Sequence, residues 1–154
     1  MNVLDSAVKL LQENEIRPSL TRIHILAYLL TNPVHPTVEQ IYQALLPQIP
    51  TLSKTTVYNT LDLFLAKKLV KPVGVEYKEK HYDANTQNHG HFFCRVCEKI
   101  FDFDTHYIET ETPELKGFQI EAKNVYYSGV CLDCRHKNKH KEDKNEKFEG
   151  NQDC

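Results

Sequence analysis

The sequence predicts an α+β fold built as two successive units, and three observations carry that reading. Apolar residues recur at helical spacing through most of residues 1–68, a short strand–turn–strand pattern follows, and two Cys-x-x-Cys pairs lie among strand-like segments beyond it. The expected units are residues 1–84 and 85–136. Residues 137–154 form a Lys/Glu/Asn-rich tail with one aromatic, Phe148. Such a tail cannot bury enough apolar surface to offset its ordering entropy, so disorder is expected there.

Val3, Leu4, Ala7, Val8, Leu10 and Leu11 make the first helical stripe, which Pro18 ends. Ser19 is a good N-cap for a second helix that should bury Ile23, Leu26, Ala27 and Leu30 before Asn32-Pro33 stops it. Thr37-Val-Glu-Gln40 has the capping-box pattern ahead of Ile41, Ala44 and Leu45, with Pro47 and Pro50 closing that helix. Ser53 opens a longer helix reaching about Lys68, with Val57, Leu61, Phe64 and Leu65 as its buried stripe. Leu69–Val73 and a return near Glu79–Asp83, joined through Gly74, read as a β-hairpin. In the second unit, Ile100–Asp104 and Phe118–Val130 read as strands, with a helix around Tyr107–Leu115 between them.

The charge pattern narrows the partners. Nineteen Lys+Arg against 21 Asp+Glu in 154 residues give a net charge of −2, which argues against a wholly basic nucleic-acid binder. Residues 1–80 carry nine basic and seven acidic residues, whereas residues 81–154 carry ten and fourteen. The longest apolar run, Ile25–Leu30, is too short to span a bilayer. The opening Met-Asn-Val-Leu-Asp-Ser lacks the basic stretch and apolar core of a secretory leader, so cytoplasmic residence is expected. All five cysteines and six of the eight histidines fall after residue 80. In a reducing compartment these are better metal ligands than disulfide partners.

Short helices followed by a hairpin make a winged helix-turn-helix, with the helix opened by Ser53 as the reader. Its first turns offer Lys54, Thr55, Thr56, Tyr58 and Asn59. Thr methyls and the Tyr ring suit thymine methyl groups, Asn suits adenine, and Lys54 suits a phosphate. The other reading of the same residues is a solvated helix face. With so little net charge, one such unit would bind DNA weakly, so dimerisation would have to double the contacts.

Cys94-Arg-Val-Cys97 and Cys131-Leu-Asp-Cys134 form two knuckles, and a pair of knuckles completes a tetrahedral four-cysteine zinc site. A redox dithiol would need only one knuckle, and buried thiols would need no such spacing. Cys154 has no evident partner. A second, thiolate-free set comprises His35, Asp83, His89, His91 and Asp102. On a strand, His89-Gly-His91 presents both imidazoles to one side. Mixed imidazole and carboxylate ligation suits Fe2+ or Mn2+ and also accepts zinc. His24, His81, His106, His136 and His140 read as ordinary core or surface residues. Of these His81, two residues from Asp83, is the best accessory ligand.

Six motifs then stand in order: His35-Pro-Thr, Thr56-Val-Tyr-Asn-Thr-Leu61, Tyr82-Asp83, His89-x-His91-x-x-Cys94-x-x-Cys97, Asp102-Phe103 and Gly129-Val-Cys131-x-x-Cys134. Over roughly residues 5–136 this resembles the ferric-uptake-regulator (Fur) superfamily of metal-dependent bacterial repressors. The resemblance implies a homodimer with an amino-terminal winged helix and a carboxyl-terminal α/β dimerisation domain. It also implies a structural zinc on four cysteines and a regulatory Fe2+ or Mn2+ between the domains. Asn59 and Asp102 match the peroxide-sensing (PerR-like) branch, whose His, Asp, His, His, Asp ligands correspond to His35, Asp83, His89, His91 and Asp102. Arg17 matches a basic position that reaches the minor groove in relatives. Two stretches depart from the pattern: Glu121-Ala-Lys-Asn124 lacks a histidine that many relatives use in another metal site, and Ser19-Leu-Thr-Arg22 replaces the common Thr-Pro-Gln-Arg.

The function this implies is repression at a pseudo-palindromic operator in double-stranded DNA. Relief would follow when iron and peroxide oxidise His35 or His89, chemistry that manganese does not support. An iron- or zinc-uptake regulator of the same superfamily is the nearest alternative. A hydrolytic metalloenzyme is the remote one, since it needs an open metal position and a general base, and the suitable carboxylates already serve as ligands.

Overall fold

Each of the four helices of the first unit begins at a side chain that accepts one of its leading N–H groups. In the computed structural model, which describes residues 2–74, 79–106, 112–121 and 123–137, α1 spans Val3–Glu13 behind an Asn2–Asp5 capping box. Helix α2, Leu20–Thr31, starts at Ser19, whose hydroxyl accepts the Arg22 N–H. Helix α3, Val38–Leu45, has the reciprocal Thr37–Gln40 box. Helix α4, Lys54–Ala66, is capped by Ser53, which accepts the Thr56 N–H at 3.1 Å. Each such cap is worth about 1 kcal/mol, so these starts are set locally.

The helices enclose a core whose fully buried members include Leu11, Ile25, Leu26, Ile41, Val57, Leu61 and Phe64. On α4 the buried face is Val57, Thr60, Leu61 and Phe64, with Leu65 half-buried. The predicted face of α2 is corrected. Ile25, Leu26, Ala27 and Leu29 are buried, Ile23 is half-buried, and Leu30 faces out. This helix is apolar nearly all round and packs against α1, α3 and α4, so its own periodicity cannot select a single stripe.

After α4, β1 (Lys71–Val73) and β2 (His81–Asp83) pair antiparallel in the register Lys71↔Asp83, Pro72↔Tyr82, Val73↔His81. The intervening residues 75–78 lie outside the described ones. Tyr82 is buried against the helical core, and His81 makes an isolated bridge to Thr37. Four capped helices and a two-stranded wing make up this winged helix-turn-helix unit, which extends to Gln87.

The second unit starts at Asn88 and holds a three-stranded sheet in the order β4-β3-β5. Strand β3 (Gly90–Cys94) runs antiparallel to β4 (Ile100–Phe103) and parallel to β5 (Tyr126–Gly129). The long predicted strand over 118–130 is corrected to four residues. A parallel ladder forms only where β3 offers partners, and β3 is five residues long. Residues 107–111 of the predicted helix around 107–115 lie outside the described ones. Beyond them, Pro113–Leu115 makes a single 3-10 turn that the left-handed Gly117 follows. A helical turn occupies residues 132–137, and the tail beyond it is not described. Among the described residues, no helix is long and apolar enough to cross a membrane.

Candidate metal centres

The parallel pairing of β3 with β5 brings the cysteine knuckles together. Cys94 ends β3 opposite Gly129, Cys97 follows in the next turn, and Cys131 and Cys134 follow β5. The Arg95 N–H donates to the Gly129 carbonyl at 2.9 Å, which ties one knuckle to the other strand. All four sulfurs lie within 4.8 Å of one another, and Cys97 Sγ is 3.8 Å from Cys131 Sγ. Sulfurs about 2.3 Å from one zinc stand about 3.8 Å apart along a tetrahedral edge, so the cluster fits structural zinc. Cys94 accepts the Cys131 N–H at 3.3 Å. That bond, with the Cys97 N–H, lowers its thiol to about 6. Cys134 is pushed up to about 12, first by its bond with the Cys131 side chain and then by burial. A thiolate-first residue and a thiol-last residue thus share one cage. Cys154 lies outside the described residues.

The imidazole and carboxylate residues form a pair in the first unit and a trio in the second. In the first, His35 has a left-handed backbone, φ 53°, which costs a residue bearing a Cβ about 1–2 kcal/mol. Its Nε2 lies 3.7 Å from Asp83 Oδ2, and both side chains are buried. Asp83 ends β2, and its other oxygen accepts the Asn85 N–H at 2.7 Å. Both residues line a cavity of about 190 Å3 together with Leu29, Leu30, Pro33 and Tyr82.

In the second unit the β3–β4 register sets His91 opposite Asp102. Asp102 Oδ1 is 3.5 Å from Nε2 of His91 and 3.5 Å from Nε2 of His89. The two imidazoles meet edge to face with centroids 4.5 Å apart, and His91 stacks on Tyr126 at 5.7 Å. Gly90, between them, leaves room for the Phe103 ring, which lies parallel to Tyr127 at 5.1 Å. Nitrogen–oxygen separations of 3.5–3.7 Å are too long for good hydrogen bonds and close to the spacing of two ligands on one ion. A set of nitrogen and oxygen donors without thiolate suits Fe2+, Mn2+ or Zn2+.

The predicted reading face is exposed. Lys54, Thr55, Thr56, Tyr58 and Asn59 point away from the core, and Arg17 is exposed just ahead of α2. Thr56 Oγ1 lies 2.8 Å from Ser53 Oγ, which orients the first turn. Lys54 is already engaged: its Nζ is 2.5 Å from Glu39 Oε2 on α3 and 5.5 Å from the centre of the Tyr42 ring. That bond raises the Lys54 ammonium above its ordinary value and lowers the Glu39 carboxyl below its own. Glu39 carries no signal in the sequence, because no spacing rule links the start of α3 to the start of α4.

A profile of the ferric uptake regulator family matches residues 13–128. The chain belongs to the ferric uptake regulator family. It is 34% identical over 137 residues to the peroxide-responsive repressor PerR of Staphylococcus aureus, covering 87% of this chain and 93% of that protein. The solved structure of the Vibrio cholerae ferric uptake regulator is 25% identical, with a TM-score of 0.68 over 80% of this chain and 98% of that one. The Helicobacter pylori ferric uptake regulator, 17% identical, has the same fold, with a TM-score of 0.66 over 86% of this chain and 91% of that one.

The remaining histidines of this family member sort by their bonds and exposure. His24 Nδ1 bonds the Leu20 carbonyl and His106 bonds the Asp104 carboxylate, and the His106 and His136 side chains are exposed. His140 lies outside the described residues. His81 Nδ1 is directed to the His35 carbonyl at 2.5 Å. Tyr126, the ring under His91, carries no signal in the sequence because only the parallel β3–β5 register sets it there.

Proposed function

We propose that this protein is a metal-dependent transcriptional repressor that senses peroxide and acts as a homodimer in the cytoplasm. The single observation that carries the reading is the thiolate-free ligand set, with Asp102 within 3.5 Å of two imidazoles and His35 facing Asp83 at 3.7 Å. The 34% identity to a peroxide-responsive repressor supports the same reading. Zn2+ belongs to Cys94, Cys97, Cys131 and Cys134. One Fe2+ or Mn2+ belongs to His35, Asp83, His89, His91 and Asp102 together. Because these ligands come from both units, the ion favours whichever arrangement unites them, by its differential affinity.

Exposed Phe118, Ile120, Tyr127 and Leu132 on the second unit support self-association, since burying such apolar surface is what a stable dimer does. Two first units then present two α4 helices to successive half-sites of a pseudo-palindromic operator. Thr55, Thr56, Tyr58 and Asn59 read bases, Lys54 holds a phosphate, and Arg17 enters the minor groove. Lys54 must exchange Glu39 for that phosphate, so Glu39 tempers non-specific binding.

The cavity beside His35 and Asp83 admits a molecule as small as peroxide. Bound Fe2+ supplies the redox chemistry that splits the O–O bond. A ring carbon of His35 or His89 gains one peroxide oxygen in place of its hydrogen, and the other oxygen leaves as water. The altered imidazole would be a poorer ligand, so His35 or His89 would no longer help hold the regulatory ion and repression would end.

Peptide mass mapping of the Fe2+-loaded protein after peroxide tests this, with the Mn2+-loaded protein as control. The expected result is the added mass of one oxygen on the His35 or His89 peptide with Fe2+ only. Enrichment of a pseudo-palindromic duplex from a random pool in Mn2+, lost with His35→Ala, tests repression. Metal-dependent enrichment without histidine oxidation would overturn peroxide sensing and leave a metal-uptake regulator. Without metal-dependent enrichment, the repressor reading fails.

A further inference from the structure

We propose that His81 is a positioning residue for His35, holding that ligand's backbone in the conformation its imidazole needs. The inference rests on the reading of His35 as a ligand of the regulatory ion, and it follows from two ties between β2 and the segment ahead of α3, a backbone bridge with its hydrogen bond and a side-chain contact. The Tyr82 N–H donates to the Pro36 carbonyl at 3.0 Å. Thr37 and His81 pair as an antiparallel bridge. The His81 ring meets the His35 carbonyl at 2.5 Å through Nδ1. A carbonyl oxygen only accepts, so Nδ1 carries the proton and donates it. Nδ1 is therefore committed to the carbonyl, and any accessory ligation by His81 would fall to Nε2.

His35 is a residue that needs such a tie. With φ at 53° it occupies the left-handed region, which residues bearing a Cβ populate sparsely. Its carbonyl orientation is coupled to that backbone, and fixing the carbonyl fixes where the chain turns and where the imidazole leaves it. The tie comes from the strand that also carries Asp83. One short strand therefore sets both members of the pair, the carboxylate through its own backbone and the imidazole through His81. Outer partners of this kind commonly change metal affinity by about 10–100-fold when removed.

The test uses the full-length, zinc-loaded protein and follows Mn2+ binding by the loss of the free-ion electron paramagnetic resonance signal. His35→Ala should abolish high-affinity binding. His81→Ala should raise the Mn2+ dissociation constant about 10–100-fold, with zinc content and helicity unchanged. His81→Asn, whose side-chain N–H2 falls near the position of Nδ1–H, should restore affinity to within a few-fold of wild type. His81→Gln, whose donor falls nearer Nε2, should not. Should His81→Ala fail to fold, the contrast of Asn with Gln decides. Wild-type affinity in His81→Ala while His35→Ala no longer binds Mn2+, or equal weakness of the Asn and Gln variants, overturns the positioning role alone. Undiminished Mn2+ binding by His35→Ala overturns the ligand assignment and this inference with it.

Discussion

Replacing Gly90 by alanine puts one methyl group where the structure has an aromatic ring. A Cβ at this position would lie 2.3, 2.5 and 2.8 Å from three carbons of Phe103. Carbon pairs settle at about 3.5–4.0 Å, so the ring must retreat by about 1 Å or more. Its retreat is opposed by Tyr127, which lies parallel to it at 5.1 Å. Overpacking of this kind costs about 1–3 kcal/mol, and disturbing the stack adds about 0.5–1.5 kcal/mol. The strain falls on the β3–β4 pair, where His91 faces Asp102 one residue along from Gly90 and Phe103. Gly90→Ala should therefore lower both the urea midpoint of the zinc-loaded protein and its Mn2+ affinity. Phe103→Ala should make room for the methyl, so the double variant should be more stable than the two single losses predict, by about 1 kcal/mol or more. Additive losses, or a Gly90→Ala protein as stable as wild type, would refute the steric account.

Two further outcomes follow from the cores of the two units. Phe64→Ala, at a fully buried position among the four helices, should cost about 3–5 kcal/mol by urea unfolding; a loss below about 1 kcal/mol would show that this core is not close-packed. Zinc affinity should weaken as pH falls, because Cys134, pushed up to about 12, must release a whole proton to bind, whereas Cys94, near 6, is already a thiolate above neutrality. Chelator competition should show about a tenfold or greater loss from pH 8 to pH 7, and a pH-independent constant would argue against four-thiolate ligation.

The helix starts and the zinc knuckles were legible because their causes are local. A capping box acts over three residues, and the Cys-x-x-Cys spacing by itself lets both sulfurs turn to one centre. Ser19, Thr37 and Ser53 cap the helices that the sequence predicts they should. The five candidate regulatory ligands were legible by chemistry and motif order, and within each unit the structure sets them close together.

What local order could not decide was everything set by a distant partner. The buried face of α2 depends on three neighbouring helices, and the length of β5 depends on how much of β3 is available to it. Lys54 is bonded to Glu39, His91 lies on Tyr126, and Phe103 fills the space that Gly90 leaves. The bond from His81 to His35 joins residues 46 positions apart. Residue order thus named candidate metal-holding side chains, because ligand chemistry belongs to the side chain itself. The tertiary structure decided how those candidate residues are set, because the segment of His35 is bonded to β2 and the register of His91 with Asp102 is fixed by the pairing of β3 with β4.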